Sequence, residues 1–466
     1  MKQNDSVKLI HRDLPIFRID TPGRSLIYAP GKFASVCPEE ADLLQDAWEG
    51  PAGLNGNPLV QDVSAWIEGH GREVVQARRL WLEEPFMPEC LTVYLSNSCN
   101  LKCLYCFASG GDDRESTGRA DMLSIMNRPV ISAAARLVAK NCAAKGKKFV
   151  IALHGGGEPT IHWGLVKGIV RLSRVLAQEY GIPWFGYIAT NGVMSQNHAL
   201  WLGRHFDVVG LSCDGPPEIQ DRQRCLHNGG KSSLFVERTA RMIKNAGGRV
   251  EVRSTITPAT IERQAEIVSY VYHKLGASTV RLEPAYCGRN GIEQRFTKED
   301  ANRFVSHFLE AQDMATSVGC ALSFSGVRTD EIHGPYCDVL RNVLRLTPDG
   351  AATACFFSTG SHDPAGRQLQ IGKVDETTGE FSLDMDRIDT FRQEAGAIPS
   401  GCRKCINSNS CTRACPDHCS ILHDRWPNRI PCPHQRIDSA EFRCSVHQKL
   451  ALAWILKSAN CQSWAP

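Results

Sequence analysis

The chain has 466 residues, of which 42% are hydrophobic, so it can bury large cores in roughly two to four domains. Its 53 lysines and arginines nearly balance its 50 acidic residues, which leaves a net charge of only +3. This balance gives no electrostatic case for a nucleic-acid partner or for an anionic membrane surface.

The chain contains twenty cysteines, a number compatible with disulfides or with metal chemistry. The first residues, MKQNDSVKLIHRD, are polar and lack the apolar core of a secretory signal. The longest apolar run, 450–456, is too short to cross a bilayer and is typical of the buried side of a C-terminal helix. We therefore expect a cytoplasmic protein in a reducing compartment, with no membrane partner.

The first block covers residues 1–89. An apolar hairpin pattern at 25–37 precedes an acidic helix start at Pro38. The block is predicted to be a small α+β extension, with two short strands followed by a helix as in winged-helix modules.

From residue 90 to about 310, short apolar strands alternate with longer helical stretches, a pattern typical of parallel βα units. Six such units predict an α/β fold, an open and partial (β/α)6 barrel, whose chemistry should lie at the carboxyl ends of the strands. The predicted strands cover 91–96, 149–153, 185–189, 208–212, 250–255 and 279–282.

Three cysteines, Cys99, Cys103 and Cys106, follow the first predicted strand. A [4Fe-4S] cluster normally takes four thiolates, so a loop with three suggests that one iron is reserved for an exchangeable ligand. The alternative is a zinc loop or three unrelated buried thiols. Zinc sites usually pair a Cx2C with a second pair further on, which favours the cluster.

Further motifs follow the next strands. His154 to Thr160 read HGGGEPT, 190–192 read TNG, and 212–215 read SCDG. Each could be an ordinary turn by itself. His154 is a candidate general base or, alternatively, a core histidine.

Together these motifs resemble the radical S-adenosylmethionine (SAM) superfamily, in which SAM chelates the free iron of the cluster. The resemblance implies that the glycine turn and its carboxylate bind the SAM amino group, and that the TNG motif and Ser212 line the ribose. It also implies that Tyr105 stacks near the adenine. Arg253 would bind the SAM carboxylate with its guanidinium or, alternatively, make a structural ion pair. The implied SAM contacts are Tyr105, Gly156, Gly157, Glu158, Thr190, Asn191, Ser212 and Arg253.

A second cysteine-rich region spans 336–435, after a bridging region at 311–335 and before a helical tail at 436–466. Its Gx4C and Cx2Cx5Cx3C elements resemble the SPASM extension, which implies two auxiliary [4Fe-4S] clusters and hence three clusters in all. One auxiliary set is Cys402, Cys405, Cys411 and Cys432, and the other is Cys337, Cys355 and Cys415.

Several assignments in this region stay open. Cys419 and Cys444 compete with Cys432 for the last ligand position. The cluster held by the second set needs a fourth ligand from Cys320, Cys419, Asp338 or another group, unless its fourth iron is open to substrate. A zinc ribbon is the alternative to both clusters.

The resemblance implies a 5'-deoxyadenosyl radical, made with one electron from a flavodoxin or ferredoxin, that abstracts hydrogen from a substrate carbon. Within the SPASM group we favour a maturase that installs a thioether, a carbon-carbon cross-link or a related oxidation in a ribosomally made peptide. The N-terminal block would then grip a leader peptide by strand addition, or else only pack on the barrel.

Three alternatives remain. The first is an anaerobic sulfatase-maturing enzyme, although that branch carries an Asp directly after the Gx4C cysteine, where this chain has Phe356. The second is an enzyme acting on a small molecule. The third is a non-catalytic electron carrier, for which the GGEP and TNG elements would have no purpose.

Overall fold

The computed structural model describes residues 7–49, 58–106, 108, 124–285, 296–332, 338–356, 358–360, 364–398, 400–411 and 438–461. Within these ranges, no helix combines the length and the apolar character that a bilayer-crossing segment needs.

The N-terminal block is an antiparallel sheet of four described strands with two helices, richer than the predicted pair of strands and single helix. The predicted hairpin at 25–37 is confirmed by its third and fourth strands. The elements are β1 (Val7–Leu9), β2 (Phe17–Thr21), β3 (Arg24–Ala29), β4 (Lys32–Val36), α1 (Pro38–Glu49) and α2 (Pro58–Glu83).

The two faces of this sheet have different neighbours. Because side chains alternate along a strand, Leu26 and Tyr28 of β3 share one face while Ile27 lies on the other. Leu26 and Tyr28 belong to the same buried cluster as the strands of the following domain, whereas Ile27 packs in a separate core that includes Leu44 of α1 and Ile67 of α2. The block is therefore built into the main core.

The central domain confirms the predicted α/β fold with an open parallel sheet. Its six principal strands lie in the order β12, β11, β9, β8, β7, β5, and all neighbouring pairs are parallel. They are β5 (Cys90–Val93), β7 (Phe149–Leu153), β8 (Trp184–Thr190), β9 (Val208–Ser212), β11 (Arg249–Ile256) and β12 (Thr279–Pro284), and a two-stranded ribbon of β6 (Leu101–Cys103) and β10 (Arg224–Leu226) lies apart.

Several predicted strand boundaries differ from the observed ones by one or two residues, and one differs by three. The first strand ends at Val93 rather than at Ser96, because the chain leaves the sheet there and the Ser96 hydroxyl bonds the His162 ring 2.6 Å away. The connecting helices are α3 (Arg128–Lys145), α4 (Trp163–Glu179), α5 (Gln196–His205), α6 (Pro217–Gln223), α7 (Ser233–Asn245), α8 (Gln264–Tyr270) and α9 (Asp300–Val318).

The sheet continues beyond the six units in both directions. β13 (Ala321–Ser323) extends it parallel to β12, and β14 (Val343–Leu346) pairs in parallel with β5 on the other side. Next to β14 the sheet continues with three strands in antiparallel pairing: β15 (Ala352–Thr353), β16 (Gln370–Val374) and β17 (Phe381–Leu383). The helices of this region are α10 (Pro364–Gln368), α11 (Met385–Gly396) and α12 (Asp438–Cys461).

Two arginines join α2 to α11. Arg392 is 2% exposed and donates to the carbonyl oxygens of Trp81 and of Glu84, the latter 2.6 Å away, and Arg78 donates to the carbonyl of Gly396. The Trp81 and Glu84 carbonyls lie at the end of α2 and that of Gly396 at the end of α11, where carbonyls lack partners within the helix.

We expect Arg392→Ala to lower the free energy of unfolding by about 2 to 4 kcal/mol, because it leaves buried carbonyls without donors and opens a void. The urea midpoint measures the effect. The control is Arg387→Ala on the same helix, whose partly exposed side chain donates to the carbonyl of Gln368 and lies near the Phe391 ring. Equal losses in the two variants would contradict the docking role.

Candidate functional site

The three-cysteine loop follows β5 and is held by a strand from another part of the chain. Its β6 pairs antiparallel with β10, so Cys103 lies opposite Arg224. The His227 ring bonds the backbone carbonyl of Cys99 at 2.9 Å. The predicted cluster loop is thus covered by the 224–227 segment, which the sequence motifs did not indicate.

The thiols of this loop suit a cluster. Burial, above all, raises the pKa of Cys99 and of Cys103 to about 12, and the charges of Cys99 and Cys106 act on Cys103. Iron binding therefore has to displace protons from buried thiols. The Cys99 Sγ also accepts the Leu101 backbone N–H at 3.4 Å and Asn191 Nδ2 at 3.7 Å, contacts of the kind that tune iron-sulfur clusters.

Among the described residues, no three His, Cys, Asp or Glu side chains converge closely enough to hold one metal ion. The three thiols of this loop are the donor type and the number that a [4Fe-4S] cluster with one exchangeable position takes.

Glu158 joins the loops that follow β7 and β8. Its carboxylate is 2% exposed; Oε1 accepts Thr160 N, Thr160 Oγ1 and Thr190 Oγ1 at 2.7 to 3.0 Å, and Oε2 accepts Asn191 N at 2.7 Å. Burial raises the pKa of Glu158, and these donors oppose that shift. Oε1 accepts three of these four bonds and Oε2 only one, so Oε2 is the oxygen with room for a further donor such as an ammonium.

The two glycines before Glu158 are required by the packing of the protein itself. A Cβ on Gly156 would lie 2.1 Å from Tyr94 Oη, and one on Gly157 would lie 2.2 Å from the Ser96 carbonyl oxygen. Gly157 also has φ of +66°, which favours glycine. These two glycines therefore allow the turn to approach the segment that leads into the cluster loop.

Several predicted SAM contacts are engaged within the protein. Thr190 donates to Glu158, and the Asn191 amide donates to Asn100 Oδ1 at 2.7 Å. Ser212 and Arg253, by contrast, are partners in register on β9 and β11, and Arg253 is exposed toward the open side of the sheet. The eight assigned SAM contacts stay predictions.

Tyr105 takes part in a buried network instead of presenting a free hydroxyl. It donates to Asp214, which is fully buried and forms an ion pair with Arg224 Nε at 3.0 Å. The Arg224 guanidinium lies 5.2 Å from the Tyr105 ring centroid. This Asp-Arg pair secures the cluster loop and was missed, although Asp214 belongs to the SCDG motif at 212–215.

Beside this loop the open face of the sheet carries a polar lumen, defined by His154, Tyr187, Arg253, Arg281 and Arg345. The His154 ring is 6.4 Å from the Tyr187 ring and 5.8 Å from Phe356. Burial, followed by the charges of the three arginines, lowers the pKa of His154 to about 3. A group this acidic is poorly matched to general-base work near neutral pH.

Three of the seven predicted auxiliary ligands, Cys337, Cys415 and Cys432, lie outside the described residues, as does the alternative Cys419. Cys355, Cys402, Cys405 and Cys411 are described. The 402–411 loop docks on the 326–331 segment, where Asn407 Nδ2 donates to the Gly326 carbonyl at 2.9 Å and Ser410 Oγ to the Arg328 carbonyl at 2.7 Å.

The structure also locates three alternative ligands. Cys320 precedes β13 at the amino ends of the strands, away from the carboxyl ends where the site lies, and its Sγ is 3.9 Å from the Ala277 carbonyl. Asp338 forms an ion pair with Arg341. Cys444 lies on α12 and accepts Gln448 Nε2 at 3.2 Å. The auxiliary ligand sets stay predictions.

The fold and the cysteine loop define the class of protein. A solved structure described as native anSMEcpe with bound AdoMet superposes with a TM-score of 0.59 and 18% identity, covering 80% of this chain and 100% of the other. A second, described as native anSMEcpe with bound AdoMet and Cp18Cys peptide, gives 0.58 and 17%, with the same coverage. The fold is that of the radical SAM enzymes.

No protein-family model matches the chain. A cysteine-type anaerobic sulfatase-maturating enzyme of Clostridium perfringens strain 13 is 26% identical over 337 residues, which are 69% of this chain and 86% of the relative. The predicted resemblance is therefore confirmed: this chain is a homologue of an anaerobic sulfatase-maturating enzyme and shares the fold of the radical SAM enzymes.

We expect Glu158→Gln to lower the free energy of unfolding by about 2 kcal/mol, because its NH2 group would face a backbone or hydroxyl donor. The same change should weaken SAM binding, which equilibrium titration measures on reconstituted protein. The matched control is Glu179→Gln, whose carboxylate is half exposed. Unchanged stability and SAM affinity in Glu158→Gln would contradict the role of this carboxylate.

The buried His154 should make the free energy of unfolding depend on pH. Its folded pKa of about 3 is below the ordinary 6.5, so between these values the unfolded chain binds more protons and folding loses stability as pH falls. Relative to His154→Gln, the metal-free wild-type protein should lose roughly 1 kcal/mol per pH unit between pH 6 and 5 in urea unfolding. Parallel pH profiles of the two proteins would contradict a buried, neutral His154.

Proposed function

We propose that this radical SAM enzyme oxidatively modifies a residue of a peptide, and that Cys99, Cys103 and Cys106 hold its SAM-binding [4Fe-4S] cluster. The supporting observation is that Cys99 of this loop contacts Asn191, which donates to Glu158, at the carboxyl ends of neighbouring strands. When bound and reduced, the cluster and SAM supply a 5'-deoxyadenosyl radical that removes hydrogen from an unactivated carbon.

The residues of the chain position the reactants. The free acceptor site on Glu158 Oε2 suits the SAM ammonium, and the Ser212 hydroxyl and Arg253 guanidinium face the same open side of the sheet. Asn191 links this region to the cluster loop through Asn100 and Cys99. Such positioning would align the reacting groups before any bond is broken.

The region after β14 shelters the lumen. Phe356 follows Cys355 and packs near His154, while the fully buried Arg345 donates to the Cys355 carbonyl at 2.6 Å and lies 5.3 Å from the Phe356 ring. An apolar wall at this place would exclude water from a radical intermediate. Two auxiliary clusters in this region would accept the electron released by substrate oxidation, and a flavodoxin or ferredoxin would supply the initial electron.

Sulfatase maturation is the second candidate, favoured by the identity of the relatives. At the position directly after Cys355, where that branch carries an aspartate as proton acceptor, this chain has Phe356. A phenyl ring cannot accept a proton. We therefore rank modification of another peptide first, and a small-molecule substrate third.

The N-terminal sheet would add a peptide strand at an edge. β1 and β4 are the edges of the order β1-β2-β3-β4, and an edge strand presents backbone groups that another chain can pair with. The Gly31 N–H donates to the Thr329 carbonyl at 2.7 Å, so this sheet also contacts the 326–331 segment that holds the 402–411 loop. A peptide on the sheet would thus be close to the cysteine-rich region.

Anaerobically reconstituted full-length protein should bind close to twelve irons per chain and cleave SAM to 5'-deoxyadenosine when reduced with dithionite. Replacing Cys99, Cys103 and Cys106 with Ala should remove about a third of the iron and abolish the cleavage. Replacing Cys402, Cys405 and Cys411 is the matched control, which should keep the cleavage but stop substrate modification. Stoichiometric zinc without iron would overturn the proposal.

A sulfatase-derived peptide with a reactive cysteine separates the two candidates. Mass spectrometry should find no conversion of its thiol to an aldehyde if Phe356 removes the required proton acceptor. Formation of the aldehyde would make sulfatase maturation the function.

A further inference from the structure

Arg224 lies directly opposite one of the predicted cluster ligands. The antiparallel pairing of β10 with β6 puts Arg224 in register with Cys103. Side chains of directly opposed residues project from the same face of a sheet, with their Cβ atoms about 4.5 to 5.5 Å apart. The pairing of the two strands therefore carries the Arg224 side chain to the Cys103 thiol.

The guanidinium is fixed in this place by its neighbours. Arg224 is 8% exposed, its Nε lies 3.0 Å from Asp214 Oδ1, and its Nη2 donates to Thr255 Oγ1 at 3.4 Å. The Tyr105 ring packs against it, with the ring centroid 5.2 Å from the guanidinium carbon. Water and salt screen a buried charge of this kind much less than an exposed one.

The positive charge of Arg224 acts on the thiol. Burial raises the pKa of Cys103, and Arg224 is the charge that opposes this shift. Asp214 raises the same pKa, but by less than Arg224 lowers it. The positive end of the ion pair therefore dominates at the position of Cys103.

The other buried charges beside this loop are carboxylates. Glu158 and Asp214 are 2% and 0% exposed, and their charges act on Cys99 and Cys103 respectively. A cluster held by three thiolates becomes more negative when it takes up an electron, and nearby carboxylates disfavour that change. Net charge is one of the factors that set the reduction potential of an iron-sulfur cluster. A cation fixed beside one thiolate favours the reduced form.

We propose that Arg224, without binding the cluster, raises its reduction potential by holding a positive charge beside Cys103. One electron from a flavodoxin, a ferredoxin or dithionite converts the cluster from the 2+ to the 1+ state, and no proton is taken up. This inference rests on the proposed function, because it needs a [4Fe-4S] cluster on the three-cysteine loop. The Asp214–Arg224 pair then has an electrostatic role in addition to its structural one.

Anaerobic redox titration of the reconstituted full chain, followed by electron paramagnetic resonance, measures the effect. The signal that is missing from protein with Cys99, Cys103 and Cys106 replaced by Ala belongs to this loop. One opposite charge at close range shifts a charge-changing equilibrium by roughly one to three powers of ten. At a fixed solution potential, Arg224→Gln should therefore lower the ratio of reduced to oxidised loop cluster at least tenfold, which is about 59 mV for one electron.

Two further variants separate the charge from the structural role. Arg224→Lys keeps the charge and should keep the ratio close to that of wild type. Asp214→Asn removes the negative end of the pair and should raise the ratio, whereas a loss of packing would shift Arg224→Gln and Asp214→Asn in the same direction. The control is Arg249→Gln, which removes an exposed arginine paired with Glu251 at the start of β11 and should leave the ratio unchanged.

A wild-type ratio in Arg224→Gln, or shifts of the same sign in Arg224→Gln and Asp214→Asn, would overturn the inference. Loss of the loop iron from both variants would also overturn it, because the pair would then serve only to hold the loop. If one variant fails to bind this iron, the sign of the shift in the other decides. Wild-type protein without a cluster signal from this loop would contradict the proposed function itself, whereas a cluster whose potential ignores Arg224 would contradict this inference alone.

Discussion

The buried carboxylate of Glu158 is the interaction on which the geometry of the site depends. It accepts four hydrogen bonds, and these join the turn after β7 to the loop after β8. Asn191 then links that loop to Asn100 and Cys99. A buried charge is stable only when such donors surround it, so the site is held together by the same bonds that keep Glu158 in the interior.

A second buried charge pair supports the cluster loop from the other side. Asp214 and Arg224 are both shielded from water, and they bind Tyr105 and the β10 strand that pairs with the loop. Buried ion pairs of this kind contribute little net stability but penalise other arrangements of the chain. Together with Glu158, the pair leaves the three thiols little freedom to separate.

In the polar lumen, burial and then the charges of three arginines lower the pKa of His154, so its ring is neutral near pH 7. The 326–331 segment contacts both the N-terminal sheet and the 402–411 loop. The N-terminal sheet and the described part of the cysteine-rich region are therefore connected through this segment.

The succession of parallel βα units could be predicted from the sequence, because short apolar runs bounded by turns are local signals. The same holds for the thiolate spacing of Cys99, Cys103 and Cys106, which lies within one loop. The strands at 149–153 and 208–212 agree with the structure residue for residue. The N-terminal sheet was only partly predicted, since its shortest strand has three residues and little periodicity.

Only the tertiary structure decided which partners the site residues have. Thr190 reaches Glu158 across 32 positions, Tyr105 reaches Asp214 across 109, and Arg253 meets Arg281 through strand register. Such pairs depend on how the strands align and on how the helices between them pack, and no local pattern encodes either. For that reason the sequence by itself determined the class of chemistry. Only the folded chain showed that two loops share the Glu158 carboxylate and that two lumen arginines are neighbours on adjacent strands.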